Sequence, residues 1–228
     1  MDDSLHILLV RHGQTDANQF GIVQGHRPTS LNALGHRQAQ LVARRLATFT
    51  PRIDLIISSD LPRAMETAAP IAAALKLDVR YDPAWRERCY GTFEGLNPQE
   101  RVDLRQRLNL AAGALPPGAQ TEAEYQAGIC AALRRLPAVA AAAGQASPLR
   151  CILVVTHGGA CRAIPMMLAD GRLPAAPDNP VPGEFACPNA ALTHLIYRAS
   201  GRGHEYRYGC VYDVEHLEPA TVTARDAG

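Results

Sequence analysis

The sequence predicts an α/β protein: a doubly wound, mostly parallel sheet flanked by helices, with a helical insertion laid over the edge where ligands bind. Three observations carry this. Apolar runs rich in β-branched residues at 7–10, 53–57 and 151–155 have the length and composition of buried strands. Each is followed by a helical stretch, the alternation that builds a parallel sheet. Each also ends abruptly in polar residues: Arg11-His12-Gly13, Ser58-Ser59-Asp60 and Thr156-His157-Gly158-Gly159.

Taken in order, the first strand gives way to residues 14–30, which are polar and punctuated by Gly21, Gly25 and Pro28, and read as a long loop. Asn32 is the expected N-cap of a helix to about Phe49, with Leu34, Leu41, Leu46 and Phe49 near one face. Pro51 separates it from the second strand at 53–57. Asp60 is placed to cap the next helix and Pro62 to sit in its first turn, which puts Arg63 at a helix N-terminus just past a strand end. Residues 79–81 form a short third strand. Residues 84–150 carry less strand signal and two helical stretches, near 98–110 and 121–136, divided by Pro116-Pro117-Gly118. They read as an insertion over a site, inside a single domain spanning 1–228. The 151–155 strand leads into a helix to about Leu168, and the tail supplies two strands near 191–198 and 205–214.

Composition narrows the function. Hydrophobic residues make up 47% and charged residues 20% of 228 residues, close to globular averages, so a fibrous or disordered chain is a poor starting point. A formal net charge of +1 gives no field suited to nucleic acid or an anionic membrane. Lys76 is the only lysine, so 22 of the 23 cations are arginine. That excludes a P-loop, which needs a lysine after its glycines, and favours bidentate recognition of phosphate or carboxylate. The six cysteines show no C-x-x-C and no zinc spacing, and the acidic start Met1-Asp2-Asp3 lacks the regions of a signal peptide. Both point to reduced thiols and a cytoplasmic location.

If the strands are parallel, Arg11, His12, Arg63 and His157 converge on one sheet edge. Two arginines and two histidines at strand ends, with helix N-termini such as the amides after Gly158, make a site for a dianion. No Asp-x-Asp or H-E-x-x-H occurs, so no metal is expected and the arginines must neutralise the charge. A histidine nitrogen is then the reasonable nucleophile, giving a phosphohistidine. A leaving alkoxide needs a proton, for which Glu87 and Glu94 are candidates.

These residues resemble the histidine phosphatase superfamily, also called phosphoglycerate-mutase-like. Arg11-His12-Gly13-Gln14-Thr15 with Asn18 is similar to its signature loop. Gln24-Gly25 leading to Leu31-Asn32-Ala33-Leu34-Gly35 resembles its next block, and Ser58-Ser59-Asp60-Leu61 with Arg63 its arginine-bearing block. Glu87-Arg88 with Tyr90-Gly91 and Glu94-Gly95 resembles the acid block, and Thr156-His157-Gly158-Gly159 the last. The resemblance implies His12 as the phosphorylated nucleophile and Arg11, Asn18, Arg63 and His157 as the phosphate pocket. It implies Glu87 as proton donor and then base. Gln24, Gly25 and Gly158 are grouped with the substrate-binding residues.

The family divides into phosphatases and mutases, which share the phosphohistidine and differ in what accepts the phosphoryl group. The stretch Gly95-Leu96-Asn97 resembles cofactor-dependent phosphoglycerate mutases, but those carry a lysine next, where this chain has Pro98, and an Arg-Arg-Ser segment that Arg105-Gln106-Arg107-Leu108 does not match. Pro116-Pro117-Gly118 before Thr121-Glu122 looks more like the phosphatase branch. Pro28 stands where the family usually has an aspartate. The expectation is a metal-independent phosphomonoesterase for a small phosphorylated metabolite. The alternatives are a mutase primed by 2,3-bisphosphoglycerate and an inactive phospho-ligand binding module. A homodimer is left open.

Overall fold

The computed structural model describes residues 4–143, 149–176, 179, 186–200 and 203–217; the Met1-Asp2-Asp3 start lies outside them. Six strands form one sheet: β1 (Leu5–Arg11), β2 (Leu55–Ser58), β3 (Val79–Tyr81), β4 (Cys151–Thr156), β5 (Leu192–Ser200) and β6 (Gly203–Asp213), in the order β3-β2-β4-β1-β5-β6. The pairs β3–β2, β2–β4 and β4–β1 are parallel, while β1–β5 and β5–β6 are antiparallel. The sheet is therefore mostly parallel, with an antiparallel hairpin added on the β1 side.

Central strands buried on both faces explain why β1 and β4 are continuous apolar runs. Ile7 and Leu9 enter one core and Leu8 and Val10 the other. Helices α2 (Ala33–Ala47) and α3 (Pro62–Leu75) cover the second face, α5 (Glu122–Ala143) and α6 (Gly158–Ala169) the first. Two short helices, α1 (Asp16–Gln19) and α4 (Pro98–Arg107), lie in the loops.

Several details differ from the sequence reading. The 14–30 segment contains one turn of helix, α1, nucleated by a capping box between Thr15 and Asn18. The buried face of α2 is Gly35, Gln38, Ala39, Val42, Ala43 and Leu46, not the stripe through Leu34 and Leu41. Small residues let α2 sit close to Ala64 and Ala68 of α3, so the face rotates toward them. Asp60 does not cap α3, whose N-cap is Leu61 with no side-chain bond. Instead Asp60 takes a bidentate bond from Arg86 at 2.6 and 2.5 Å, a charged pair that outcompetes a single amide. Helix α5 runs past Pro137 to Ala143 and buries Tyr125, Ile129, Leu133 and Leu136 in the first core. It is a flanking helix of the sheet, which leaves residues 86–121 as the segment over the edge.

That segment is tied down by backbone bonds. Thr92 N–H donates to the Pro117 carbonyl at 3.1 Å and Gln120 N–H to Cys89 at 3.0 Å. Gly91, at φ +56°, lies so close to this turn that a Cβ would stand 2.2 Å from the Pro117 oxygen. The loop that follows β1 and the start of α2 touch backbone to backbone: a Cβ on Gly35 would stand 2.0 Å from the Gln14 oxygen.

Candidate active site

The carboxyl ends of β1, β2 and β4 bring Arg11, His12, Arg63 and His157 together as expected from the parallel arrangement. All four are buried, with exposures of 5%, 2%, 0% and 0%. The His12 and His157 rings meet edge-on, centroids 5.2 Å apart. His12 Nδ1 lies 2.7 Å from the Gly13 carbonyl oxygen. A carbonyl can only accept, so Nδ1 carries the proton and Nε2 keeps a lone pair. The backbone around His12 is held by Thr156, whose oxygen accepts from His12 N–H at 2.9 Å, and by Asn189, whose amide donates to the His12 oxygen at 3.1 Å.

Arg63 is aimed by the 24–29 loop. Its Nη2 donates to the Gly25 oxygen at 2.8 Å, and its Nη1 to the Arg27 oxygen and Thr29 Oγ1, both at 3.2 Å. Its Nε is buried without a hydrogen-bond partner, and no carboxylate among the described residues pairs with it. Burial lowers its pKa to about 10, so it remains a cation near neutral pH. A buried, unpaired charge is costly unless something anionic completes the site. Arg11 Nη1 donates to the Cys187 oxygen at 2.5 Å, and Gly158 leaves room for its guanidinium against α6, a Cβ there standing 3.3 Å from Arg11 Nε.

His157 is the N-cap residue of α6, bonded through Nε2 to Ser59 Oγ at 2.8 Å, while its Nδ1 is buried without a partner. Burial first, then the charges of Arg63 and Arg11, push His12 well below the usual histidine range. Burial and Arg63 do the same to His157. Both rings are therefore neutral at pH 7, and His12 Nε2 is available as a nucleophile.

The two candidate acids separate clearly. Glu87 accepts from Arg88 N–H at 2.8 Å and from Gly159 N–H at 3.0 Å, which sets it at the N-terminus of α6 beside the buried Tyr125. Glu94 instead accepts from the backbone N–H groups of His26 at 3.1 Å and Tyr90 at 3.0 Å, clasping the 24–26 loop to the covering segment. Glu87 faces the site; Glu94 holds the loops. Gln24 is buried and accepts from Thr15 and Thr29 hydroxyls at 3.0 and 2.6 Å, so its side chain braces the loop, and Gly25 acts through the carbonyl that holds Arg63. Asn18 Oδ1 accepts from the Thr15 backbone N–H and from the Asn189 side-chain amide.

The model of the histidine phosphatase superfamily, branch 1, matches residues 7–206. The chain belongs to this superfamily. The "Probable phosphatase" of Schizosaccharomyces pombe is 30% identical over 220 residues, which cover 94% of this chain and 96% of that protein. Phosphoglycerate mutase-like protein 4 of Arabidopsis thaliana is 37% identical over 169 residues, 71% of this chain and 70% of that one. A mycobacterial glucosyl-3-phosphoglycerate phosphatase solved with VO3 superposes with a TM-score of 0.71 at 28% identity, over 90% of this chain and 98% of the other. Phosphoglycerate mutase from Bacillus anthracis shares the fold, with a TM-score of 0.72 at 22% identity over 93% and 95%.

Sequence reasoning missed Ser59, Tyr125 and Asn189. Ser59 follows the β2 run directly and could have been taken from the strand-end pattern; Tyr125 and Asn189 had no local signal. No helix among the described residues is long and apolar enough to cross a membrane.

The buried histidines have a consequence for stability. Their folded pKa values lie below the unfolded value of about 6.5, so the unfolded chain takes up more protons as pH falls, and stability declines. Each strongly depressed histidine contributes a slope of up to about 1.4 kcal/mol per pH unit below that point. His194, held at about 4 by burial and by His6 stacked at 5.1 Å, adds to it. The urea midpoint is expected to be flat from pH 8 to 7 and to fall steadily between pH 6.5 and 5. A midpoint unchanged at pH 5 would contradict neutral, buried His12 and His157.

Proposed function

We propose that the protein is a metal-independent phosphomonoesterase that works through a phosphohistidine on His12 and acts on a small phosphorylated substrate. The observation that carries this reading is the neutral, buried His12 with its free Nε2 beside the unpaired Arg63 cation. Arg11, Arg63 and His157 hold the phosphoryl oxygens and stabilise the charge that spreads over them during transfer, a role metal ions play elsewhere. His12 Nε2 attacks phosphorus. The P–O bond breaks, and the leaving alkoxide takes the carboxyl proton of Glu87. Glu87, now a carboxylate, removes a proton from water as its oxygen attacks phosphorus; the P–N bond breaks, its electron pair returns to His12 Nε2, and phosphate is released.

The phosphatase relative in S. pombe supports hydrolysis as the second half-reaction. A mutase reading draws on the A. thaliana relative, and on it a bound hydroxyl would replace water. One experiment separates them: the protein, treated with chelator, is given labelled phosphomonoesters and 3-phosphoglycerate with a bisphosphate primer. Release of phosphate, with an acid-labile and alkali-stable protein label, is the expected result. Interconversion without net release would favour the mutase. Phosphate binding with no turnover would favour a binding module, and activity lost to the chelator would sink metal independence.

A further inference from the structure

We infer that Ser59 is a positioning residue for transfer to His12: its hydroxyl donates to His157 Nε2, fixes that ring as the Nδ1–H tautomer, and so makes His157 a hydrogen-bond donor to the phosphoryl group. This rests on the phosphohistidine reading above. Ser59 lies just past β2 and is fully buried. Its backbone is held on both sides. The N–H donates to the Val155 oxygen of β4 at 2.9 Å, and the carbonyl accepts from the Ser58 hydroxyl at 2.8 Å.

A serine hydroxyl has one proton to give. The Ser59 oxygen contacts His157 Nε2 at 2.8 Å and the Leu61 backbone N–H at 3.3 Å. The Leu61 N–H can only donate, so among the described residues Nε2 is the one acceptor within reach and takes the proton. A neutral ring, the state that burial and Arg63 impose on His157, then carries its own hydrogen on Nδ1. The reverse arrangement, with Nε2–H donating to Ser59, would strand the serine proton and leave a bare lone pair on Nδ1. Two buried groups would then be unsatisfied in place of one.

That one group is Nδ1–H, buried without a partner. An orphaned N–H is costly unless a ligand completes it. The ring meets His12 edge-on at 5.2 Å and is close enough to Arg63 and Arg11 to feel both charges, so an anion held by the two guanidinium groups lies beside it. The two histidines thus share a tautomer and use opposite ends of it. His12, with Nδ1–H on the Gly13 oxygen, offers the Nε2 lone pair to phosphorus. His157, with Nε2 on Ser59, offers Nδ1–H to a phosphoryl oxygen. In the other tautomer a lone pair would face those oxygens, and the repulsion would grow as charge spreads over them during transfer.

The test is a double-mutant cycle of Ser59→Ala with His157→Asn, using p-nitrophenyl phosphate and glycerol 3-phosphate. Ser59→Ala is expected to lower kcat about 10- to 100-fold, the worth of one hydrogen bond to a charged group. The loss should be alike for both substrates, because His157 holds the phosphoryl group and not the leaving group. In the His157→Asn background the same change should cost less than about twofold. Ser59→Cys, with a weaker S–H donor, should fall between serine and alanine. Ring 15N NMR of the free protein at neutral pH, with His157 assigned by its loss in His157→Asn, should show the proton on Nδ1 in the wild type and a mixture of tautomers in Ser59→Ala. Circular dichroism and urea midpoints verify folding of each variant. A wild-type proton on Nε2, unchanged kcat in Ser59→Ala, or an equal loss in the His157→Asn background overturns the role of Ser59 while leaving hydrolysis through His12 intact. No phosphate release and no protein label from either substrate in the wild type overturns the phosphohistidine reading itself, and the role of Ser59 with it.

Discussion

Replacing His12 with alanine is expected to lower kcat by about 10⁴-fold or more and to abolish the protein-bound phosphate label. The size follows from the geometry. His12 Nε2 is the one lone pair left open on a ring whose Nδ1 is committed to the Gly13 oxygen, and burial beside two arginines keeps that ring neutral. His157 does not substitute for it, because its Nε2 is engaged with Ser59 and its ring is set by the N-cap position of α6. The alanine variant keeps Arg11 and Arg63, so it should still bind phosphate or vanadate, measured by calorimetry, within a few-fold of the wild type. Loss of turnover with retained binding identifies a nucleophile. A variant that keeps its label, or more than a small fraction of its turnover, moves the phosphorylated atom elsewhere.

The strand ends were the most legible part of the sequence because their signal is local. A buried parallel strand must be apolar throughout, so the residue at which polarity returns marks the carboxyl edge, and Arg11, His12 and His157 fall there. Arg63 was legible through Pro62, which fixes the first turn of α3. The residues that hold these four were harder to see. Asn189 reaches His12 from 177 positions away in the chain, and Tyr125 reaches Glu87 only because α5 packs into the sheet core, information that no local window contains. Asp60 shows the opposite error. Its position satisfies every rule for an N-cap, yet Arg86 arrives from the covering segment and forms a stronger pair. The offset of α2 has a similar origin, since apolar periodicity weighs leucine over glycine and alanine, while close packing on α3 selects the small residues.

Glu87→Gln is expected to separate substrates by leaving group. An alkyl phosphate needs a proton on its departing oxygen, and losing the donor should lower kcat by about 10²- to 10⁴-fold. p-Nitrophenyl phosphate departs as a stabilised anion, so its transfer to His12 should fall far less. The second half-reaction is then exposed: without a carboxylate to take the proton from water, phosphohistidine should outlast its formation, and the label in quenched p-nitrophenyl phosphate reactions should exceed that of the wild type. Glutamine fits the site with one mismatch. Its oxygen can accept from either the Gly159 or the Arg88 N–H, but its amide then faces the other donor, at a cost of about 1–3 kcal/mol in stability. Glu94→Gln makes the informative comparison, because Glu94 joins His26 to Tyr90 and touches no reacting atom in this scheme. Its effect should fall alike on both substrates. If Glu87→Gln also slows both substrates equally and no label builds up, Glu87 is a loop anchor like Glu94, and the proton comes from another group.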